Sequence, residues 1–330
     1  MAAMIDETAL YHRIQHDFPL EPRPYRRAAE ALGLSEHTVL SILARDLGSG
    51  RVSRIGAVFA PNAIGAGTLA ALSVPPARLE RVARRLNADP AVSHHYGRTG
   101  HRYNLWFAVG ARDRTTLEAV LARIAYDIDQ APLDLPLERE YYNDLDLPPD
   151  LRPPAPARTQ PPIPLRPLMT DADWRLVMAL EAGLPLTPEP YHALARRCGM
   201  PLHDIWRRLA HWRSCGVIRR FGAILRHRHL GYLYSAMCVW NVPDARVDAI
   251  GTRLAHLPAV SQCARRPRHG QEWPFNLFAM VRARSPAELQ ARLEHFKVEA
   301  GLARAPGAVL RTNRCFKQRG IRYGGAPDGQ

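Results

Sequence analysis

Side chains that can transfer protons and bind anions are concentrated between residues 94 and 107. The stretch contains three histidines, two tyrosines and two arginines, and it leads into an apolar run. Histidine exchanges protons near neutral pH, and arginine binds a carboxylate through two parallel hydrogen bonds. A single histidine is as often a buried, hydrogen-bonded residue as a functional one, but three so close together indicate a site. The residues are His94, His95, Tyr96, Arg98, His101, Arg102 and Tyr103.

A second polar cluster, in the second half of the chain, is rich in arginine. One explanation is a solvated basic loop, and the other is a binding site for anionic groups. Because the first cluster is weighted towards histidine and the second towards arginine, we predict that one transfers protons while the other binds anions. The second cluster contains Arg265, Arg266, Arg268 and His269, with Arg226, His227 and Arg228 upstream.

The charge of the whole chain also suits an anionic partner. The 330 residues carry a net charge of +14, to which residues 1–150 contribute −2 and the rest +16, and only Lys297 and Lys317 are lysines among 45 basic residues. A GC-rich genome explains the preference for arginine equally well. The excess charge itself fits either nucleic acid phosphate or a polycarboxylate.

The remaining composition predicts a reduced, cytoplasmic protein. The five cysteines are odd in number and never spaced C-x-x-C, which argues against a disulfide framework or a zinc site. No apolar run reaches the ~18 residues of a membrane helix. The first residues lack the basic and apolar regions of a secretory signal. We therefore expect no membrane association and no resident metal.

The chain is an internal duplication, with a proline-rich linker over residues 151–167 between the two copies. Segments on the two sides match in the same order and at a nearly constant offset, which is the signature of a repeat. The matches pair Arg54–Val58 with Arg220–Ile224, Gly65 with Gly231, Pro90–Ser93 with Pro258–Ser261, and Asn104–Ala108 with Asn276–Met280.

Hydrophobic periodicity predicts the same order of elements in each copy. Three short helices and a strand come first, which is typical of a winged helix-turn-helix, and a β-α-β-β-α-β pattern follows. We therefore predict an α+β protein, a tandem duplication of a winged helix-turn-helix plus a ferredoxin-like domain. The predicted domains are 1–60 and 61–150 in the first copy, and 168–225 and 226–330 in the second.

Sequence-specific DNA binding is the obvious function for such a fold, but the recognition helices argue against it. A reading helix needs basic and amide side chains to reach phosphates and base edges. The first recognition helix has Arg45 against two acids, Glu36 and Asp46. The second has arginines, but also Trp206 and Trp212 and almost no amides. We expect neither copy to read DNA specifically, and a regulator with a small-molecule effector is the alternative function.

At the polar clusters the chain resembles a known enzyme family. The run A-V-S-H-H-Y-x-R-x-x-H-R-Y-N-L-W-F at 91–107 is similar to the D-type subunit of siroheme decarboxylase. The runs R-H-R-H-L-G-Y, W-N-V-P-D and R-R-P-R…W-P-F-N-L-F-A-M between 226 and 280 are similar to its L-type subunit. The resemblance covers nearly the whole chain apart from the linker, with Ala264 and Phe275 where the L-type pattern has tyrosine. The architecture resembles that of AsnC/Lrp regulators, in which two sheets pair face to face.

The resemblance implies a cofactor-independent carboxy-lyase that removes two acetate carboxylates from siroheme. The product, didecarboxysiroheme, leads to the haem of dissimilatory nitrite reductase. Carbon dioxide leaves its electrons to the macrocycle, and the methylene carbon then needs a proton. Arginines should hold the carboxylates that stay, since holding a departing one would stabilise the ground state. Candidate proton donors are His94, His95, Tyr96, His101 and His227. Candidate substrate-binding residues are Arg98, Tyr103, Asn104, Trp106, Arg226, Arg265, Arg266, Arg268 and Asn276.

Further expectations concern the ligand and the assembly. No cofactor is expected beyond the iron tetrapyrrole substrate, whose iron a histidine could ligate. Strand alternation places His94 and His95 on opposite faces, so only one of them can enter a given pocket. The duplication implies a pseudo-dimer within one chain and leaves open a homo-oligomer. Hand-over to other haem-biosynthesis enzymes, and a haem-binding sensor in place of an enzyme, also stay open.

Overall fold

The computed structural model describes residues 7–16, 18–143 and 167–324. These residues fall into two compact units. The helical unit contains 7–64 and 167–230, and the sheet unit contains 65–143 and 231–324. Each unit thus combines the corresponding parts of both sequence copies. Residues 151–166 of the predicted linker lie outside the described part of the chain.

The two copies contain the same order of elements, which confirms the predicted α+β duplication. The first copy consists of α1 (Glu7–His16), α2 (Pro24–Glu30), α3 (Glu36–Gly48), β1 (Val52–Phe59), β2 (Ala66–Leu72), α4 (Pro76–Ala88), β3 (Val92–Thr99), β4 (Leu105–Ala111), α5 (Arg114–Ile128), β5 (Leu133–Pro136) and β6 (Arg139–Asn143). The second copy consists of α6 (Asp171–Ala182), α7 (Pro190–Cys198), α8 (Leu202–Ser214), β7 (Ile218–Leu225), a 3-10 turn (His227–Leu230), β8 (Tyr234–Trp240), α9 (Asp244–His256), β9 (Val260–Arg265), β10 (Leu277–Ala283), α10 (Pro286–Glu299) and β11 (Gly307–Gln318).

The wing predicted for each copy is built from strands of both copies. Strand β1 pairs antiparallel with β7, and Gly56 lies opposite Gly222. The repeated segments 54–58 and 220–224 therefore pair with each other, as a twofold-related duplication allows. The sequence indicated the strands correctly but not that each finds its partner in the other copy.

Ion pairs occupy several arginines of the recognition helices α3 and α8. In α3, Arg45 pairs with Glu7 and Asp46, its Nη2 and Nε lying 2.8 and 3.0 Å from their carboxylate oxygens. In α8, Arg207 and Arg208 each lie 2.8 Å from a carboxylate oxygen. A guanidinium held this way is less available to a phosphate, so the helices suit a structural role.

We predict that the protein does not discriminate between DNA sequences. The measurement is a gel-shift titration at physiological salt with DNA from around its own gene and with random DNA of equal length. The two dissociation constants should agree closely, because the recognition helices offer few free basic groups. A preference of about 10³ or more, the range of true specific binders, would contradict this.

The sheet unit contains nine strands in the order β5-β2-β4-β3-β11-β8-β10-β9-β6. The first part of β11 pairs with β8 and its second part pairs with β3, so this one strand joins the two copies. The edge strands β5 and β6 are separated in the chain by Leu137 and Glu138 alone. The strand ends Pro136 and Arg139 are three Cα–Cα steps apart and so at most about 11 Å from each other, which brings the two edges of the sheet close together here. The strands of both copies thus form one continuous sheet, and its two edge strands are consecutive in the chain.

Side chains on the sheet alternate between a helix-covered face and an inner face. Leu105, Phe107 and Val109 of β4 pack in a core with α4 and α5, and the second copy has an equivalent core with α9 and α10. The inner face carries one apolar cluster to which both copies contribute, here called the inner cluster. Its members are Ala71, Tyr103, Trp106, Leu133, Leu135, Met237, Val239, Trp273, Phe275, Phe278 and Leu310.

His95 lies on the helix-covered face of β3 and is completely buried. Its ring stacks on Phe316 with centroids 4.7 Å apart, and its Nδ1 lies 2.9 Å from Oδ1 of Asn87. Burial, and then the nearby charge of Lys317, lower the pKa of His95 to about 4. His95 is therefore a neutral core residue at physiological pH.

We predict that His95 makes the protein less stable in acid. The unfolded chain takes up the proton at the ordinary pKa of about 6.5, whereas the folded chain does so only near pH 4. Stability should therefore fall as the pH drops from about 6.5 to 4, with His95 contributing about 3 kcal/mol. Urea unfolding from pH 7.5 to 4 measures this for wild type and for His95→Phe.

Replacement of an exposed histidine supplies the control for this measurement. His203, whose side chain is 80% exposed, offers a matched substitution, His203→Phe. The His95→Phe protein should lose part of the pH dependence, and the His203→Phe protein should keep all of it. Identical pH profiles for wild type and His95→Phe would show that His95 does not carry the effect.

Candidate functional site

A row of polar side chains on β3 faces the inner side of the sheet. His94 and Tyr96 have nearly parallel rings with centroids 6.4 Å apart, and the Arg98 guanidinium lies 5.5 Å from the centroid of Tyr96. Tyr96 lies opposite Trp106 of the inner cluster, whereas His95 lies opposite Phe107 of the helix-side core. The prediction that His94 and His95 lie on opposite faces of their strand is therefore confirmed. His94 lies on the same face of β3 as Arg98.

Arg98 is a buried cation for which the described residues supply no acidic partner. Its side chain is 7% exposed, and its Nη1 donates to Oγ1 of Thr312 at 2.9 Å and to the carbonyl of Leu310 at 3.4 Å. Its Nε has no acceptor, and no carboxylate pairs with it, among the residues that the structure describes. Burial lowers the pKa of Arg98 to about 10, so the group is still charged at neutral pH. Such a charge has unused capacity to bind an anion.

Arg266 occupies the equivalent position in the second copy. Its backbone N–H donates to the carbonyl of Asn276 at 3.0 Å, as that of Arg98 donates to Asn104 at 2.8 Å. Burial lowers the pKa of Arg266 to about 10, an effect that the charge of Glu140 partly offsets. Within the described ranges no carboxylate comes into ion-pair distance of it. The duplicated fold therefore holds two arginines of this kind, one in each copy.

The other predicted arginines already have partners. Arg265 pairs with Glu138 and Asp244 at 2.9 and 3.2 Å, and Arg268 pairs with Asp244 at 3.0 Å. Arg226 belongs to the helical unit, where its Nη1 lies 3.5 Å from the carbonyl of Gly50. Their predicted contact with substrate stays a prediction, but the ion pairs favour a structural role for Arg265 and Arg268.

Asn104 and Asn276 hold backbone segments. The side-chain amide of Asn104 accepts from the N–H of Val74 at 2.9 Å and donates to its carbonyl at 2.8 Å. Asn276 makes the same pair of hydrogen bonds to Val242, at 2.9 and 3.0 Å. Both amides are thus committed to the segment that leads from a strand into a helix, β2 into α4 or β8 into α9. They position the fold around the arginines, and the structure favours this over the substrate contact that the sequence suggested.

Aromatic rings of both copies meet around His101. Its ring stacks on Tyr103 with centroids 5.7 Å apart, and the edges of Trp273 and Phe275 approach it at 5.1 and 6.1 Å. Trp106, predicted to touch substrate, is a core residue that is 1% exposed and donates its Nε1–H to the carbonyl of Tyr103 at 2.7 Å. The histidine that the first copy contributes is thus held by rings from the second.

An open groove of about 440 Å³ lies beside His101. Burial, and then the charge of Arg102, lower the pKa of His101, so the imidazole is neutral at pH 7. Its Nδ1 accepts from the backbone N–H of Tyr103 at 3.2 Å, and the ring proton must therefore be on Nε2. The groove is lined by His101, Arg102, Gln271, Glu272, Pro274 and Phe275.

The hydrogen bonds of the histidines bear on whether one could ligate a substrate iron. A ligating imidazole needs an unprotonated nitrogen that faces the metal. His101 has its lone pair on Nδ1, where the backbone occupies it. His95 has a lone pair on Nε2 that meets no donor within the described residues, but its ring is enclosed by Phe107 and Phe316. The side chain of His227 is outside the described part of the structure.

Sequence reasoning missed the second-copy residues that complete the His101 environment. Trp273, Phe275 and Glu272 lie in the loop between β9 and β10, far from His101 in the chain. The W-P-F motif is visible in the sequence, but its packing on a first-copy histidine depends on the continuous sheet that brings the two copies together. The sequence also gave no sign of which arginines form ion pairs, because Glu138 and Asp244 come from distant elements.

Comparison with known proteins gives the same architecture. The model for a siroheme decarboxylase NirDL-like HTH domain matches residues 7–50 and 173–219, and that for an AsnC-like ligand binding domain matches 64–141 and 229–317. Among the helices that the structure describes, none has the length and apolar composition needed to span a bilayer.

Similar proteins match along almost the whole chain. The siroheme decarboxylase NirDL subunit of Paracoccus pantotrophus is 39% identical, and the match covers 93% of each chain. The siroheme decarboxylase of Hydrogenobacter thermophilus is 28% identical over 94% of this chain and 92% of its own. A crystal structure of siroheme decarboxylase NirDL with an iron-uroporphyrin III analogue superimposes with a TM-score of 0.71 at 27% identity, covering 96% of this chain and 93% of that one. The chain therefore belongs to the NirDL-type siroheme decarboxylase family.

Proposed function

We propose that this protein removes carbon dioxide from two acetate side chains of siroheme and yields didecarboxysiroheme. The observation that carries the proposal is a pair of arginines without ion-pair partners among the described residues. Arg98 is buried and Arg266 is half-buried. A polycarboxylated tetrapyrrole supplies the missing anions. The related NirDL enzyme crystallised with an iron-uroporphyrin III analogue adds support for a ligand of this class.

The arginines suit carboxylates that stay on the substrate. A guanidinium that binds a carboxylate stabilises its negative charge, which decarboxylation has to remove. An arginine on the reacting group would therefore stabilise the ground state more than the transition state. We assign Arg98 and Arg266 to spectator carboxylates, which fix the orientation of the macrocycle relative to the proton donor.

The reaction itself needs a place for an electron pair and a proton. The bond between the methylene carbon and the carboxylate breaks, carbon dioxide leaves, and the electron pair enters the conjugated macrocycle. A proton added to the methylene carbon then gives a methyl group. Because the substrate takes up the electrons, we propose that no separate organic cofactor takes part, and the protein contributes binding and the proton.

His94 and His101 are the proposed proton donors of the first copy. His94 shares the inner face of β3 with Arg98, and His101 has its ring at the wall of the groove. His101 is neutral in the free protein, and a bound polycarboxylate would raise its pKa because negative charge favours the protonated ring. Protonation of Nδ1 would then break the hydrogen bond that it accepts from the backbone N–H of Tyr103. His95 faces the helix-side core, which makes it the least suited of the three histidines.

The wider setting of the reaction is also part of the proposal. The two copies would act as a pseudo-dimer within one chain, and the product would feed the haem of dissimilatory nitrite reductase. We propose a cytoplasmic enzyme that hands its product to another haem-biosynthesis enzyme. A DNA-binding regulator is the weaker alternative, since the described recognition-helix arginines are largely ion-paired.

We predict that the purified chain, mixed with siroheme and no added cofactor, gives a product lighter by two molecules of carbon dioxide. His94→Gln or His101→Gln should slow single-turnover decarboxylation by about 10²–10⁴-fold, the usual effect of losing a general acid. Binding should stay near normal, because the arginines are unchanged. Mass spectrometry counts none, one or two lost carboxylates in each protein.

Two comparisons make this measurement decisive. His95→Phe removes a histidine of the same strand from the other face, and its chemical step should keep the wild-type rate. Unchanged siroheme mass with wild-type protein would refute the proposed function. If His94→Gln and His101→Gln both complete two steps at wild-type rates, the donor lies elsewhere, and His227 is the next residue to replace.

A further inference from the structure

At the groove, a carboxylate of the protein itself contacts an arginine and a tyrosine hydroxyl. Oε1 of Glu272, in the second copy, lies 3.3 Å from Nη2 of Arg102. Oε2 of Glu272 accepts a hydrogen bond from the Tyr103 hydroxyl at 3.3 Å. Both partners belong to the first copy. Glu272 is the one acid among the residues that line the groove in the described structure.

The groups that hold Glu272 are pre-arranged for a carboxylate. The Arg102 guanidinium lies 5.0 Å from the centroid of the Tyr103 ring, and that ring stacks on His101. Burial, and then the charge of Glu272, raise the pKa of Tyr103, so its hydroxyl is protonated and can donate at neutral pH. A cation and a hydroxyl donor thus converge on one carboxylate beside a proposed proton donor.

The contact is easy to break. The side chains of Arg102 and Glu272 are 54% and 68% exposed, and exposed ion pairs of this kind contribute little to stability. A ligand with several carboxylates that are already anchored elsewhere can displace one exposed side chain, because its remaining carboxylates have a high effective concentration at the groove.

We propose that Arg102 and Tyr103 form a carboxylate subsite, which Glu272 fills in the free protein and vacates when a tetrapyrrole carboxylate binds. The identity of this ligand rests on the proposed function. Glu272 then lowers the affinity for polyanions in general, and a ligand must place a carboxylate at this subsite to overcome it. The subsite also places one substrate carboxylate next to His101.

Titration with iron-uroporphyrin, followed by absorbance, tests the proposal through binding alone. Glu272→Gln removes the competing charge and should lower the dissociation constant about two- to fivefold, in keeping with the strength of an exposed pair. Arg102→Gln should raise it. In the Arg102→Gln background the Glu272→Gln change should have a smaller effect, because only the Tyr103 hydroxyl then holds Glu272 at the subsite.

Glu80 provides a matched control in the same unit. It is 57% exposed and pairs with an exposed arginine, Arg314, so Glu80→Gln changes the net charge and breaks an ion pair in the same way. Equal dissociation constants for Glu272→Gln and Glu80→Gln, or weaker binding by Glu272→Gln, would overturn the proposal. So would a tightening that is undiminished without Arg102. None of these outcomes depends on turnover, so failure of decarboxylation is a separate result.

Discussion

The site depends on one buried positive charge, the guanidinium of Arg98. The described residues place no carboxylate beside it. Desolvating such a charge costs free energy that an ion pair would normally offset. Arg98 donates hydrogen bonds to Leu310 and Thr312, both on the strand that joins the two copies, and with a pKa of about 10 it stays charged at neutral pH. Contacts from both copies therefore hold the arginine in place, and its remaining donors suit an anionic ligand.

Duplication gave the protein two equivalent positions, and the side chains at these positions have diverged. Both copies keep the arginine and the asparagine that holds the segment before α4 or α9, so the scaffold and one anion-binding group are common to both. The chemistry is only partly shared, since the second copy has no histidine at the two positions that correspond to His94 and His95. Counted from the repeated segments 90–93 and 258–261, His94 corresponds to Gln262, His95 to Cys263 and Tyr96 to Ala264, whereas His101 corresponds to His269. We infer that proton transfer depends on the first copy, where His94 and His101 occur together, while the second contributes Arg266 and encloses His101.

The repeat, the element order and the opposite faces of His94 and His95 could be predicted because each depends on residues that are close in the chain. Periodicity fixes which side chains share a face, and it does so without knowledge of the partner strands. The exchange of strands between copies could not be predicted in this way, since β1 alone does not show that β7 is its partner. The same limit applies to Arg265 and Arg266, adjacent residues of which only Arg265 meets acids from distant elements.

The most direct test compares thermal unfolding of wild type and Arg98→Met, with and without siroheme. If the buried charge has no partner in the free protein, methionine should leave the unfolding temperature unchanged or raise it. The stabilisation that siroheme gives the wild type should then be lost. Arg268→Met, which removes an arginine paired with Asp244, should keep that stabilisation. A free Arg98→Met protein destabilised by about 3–5 kcal/mol, the cost of breaking a buried ion pair, with its response to siroheme intact, would contradict the account.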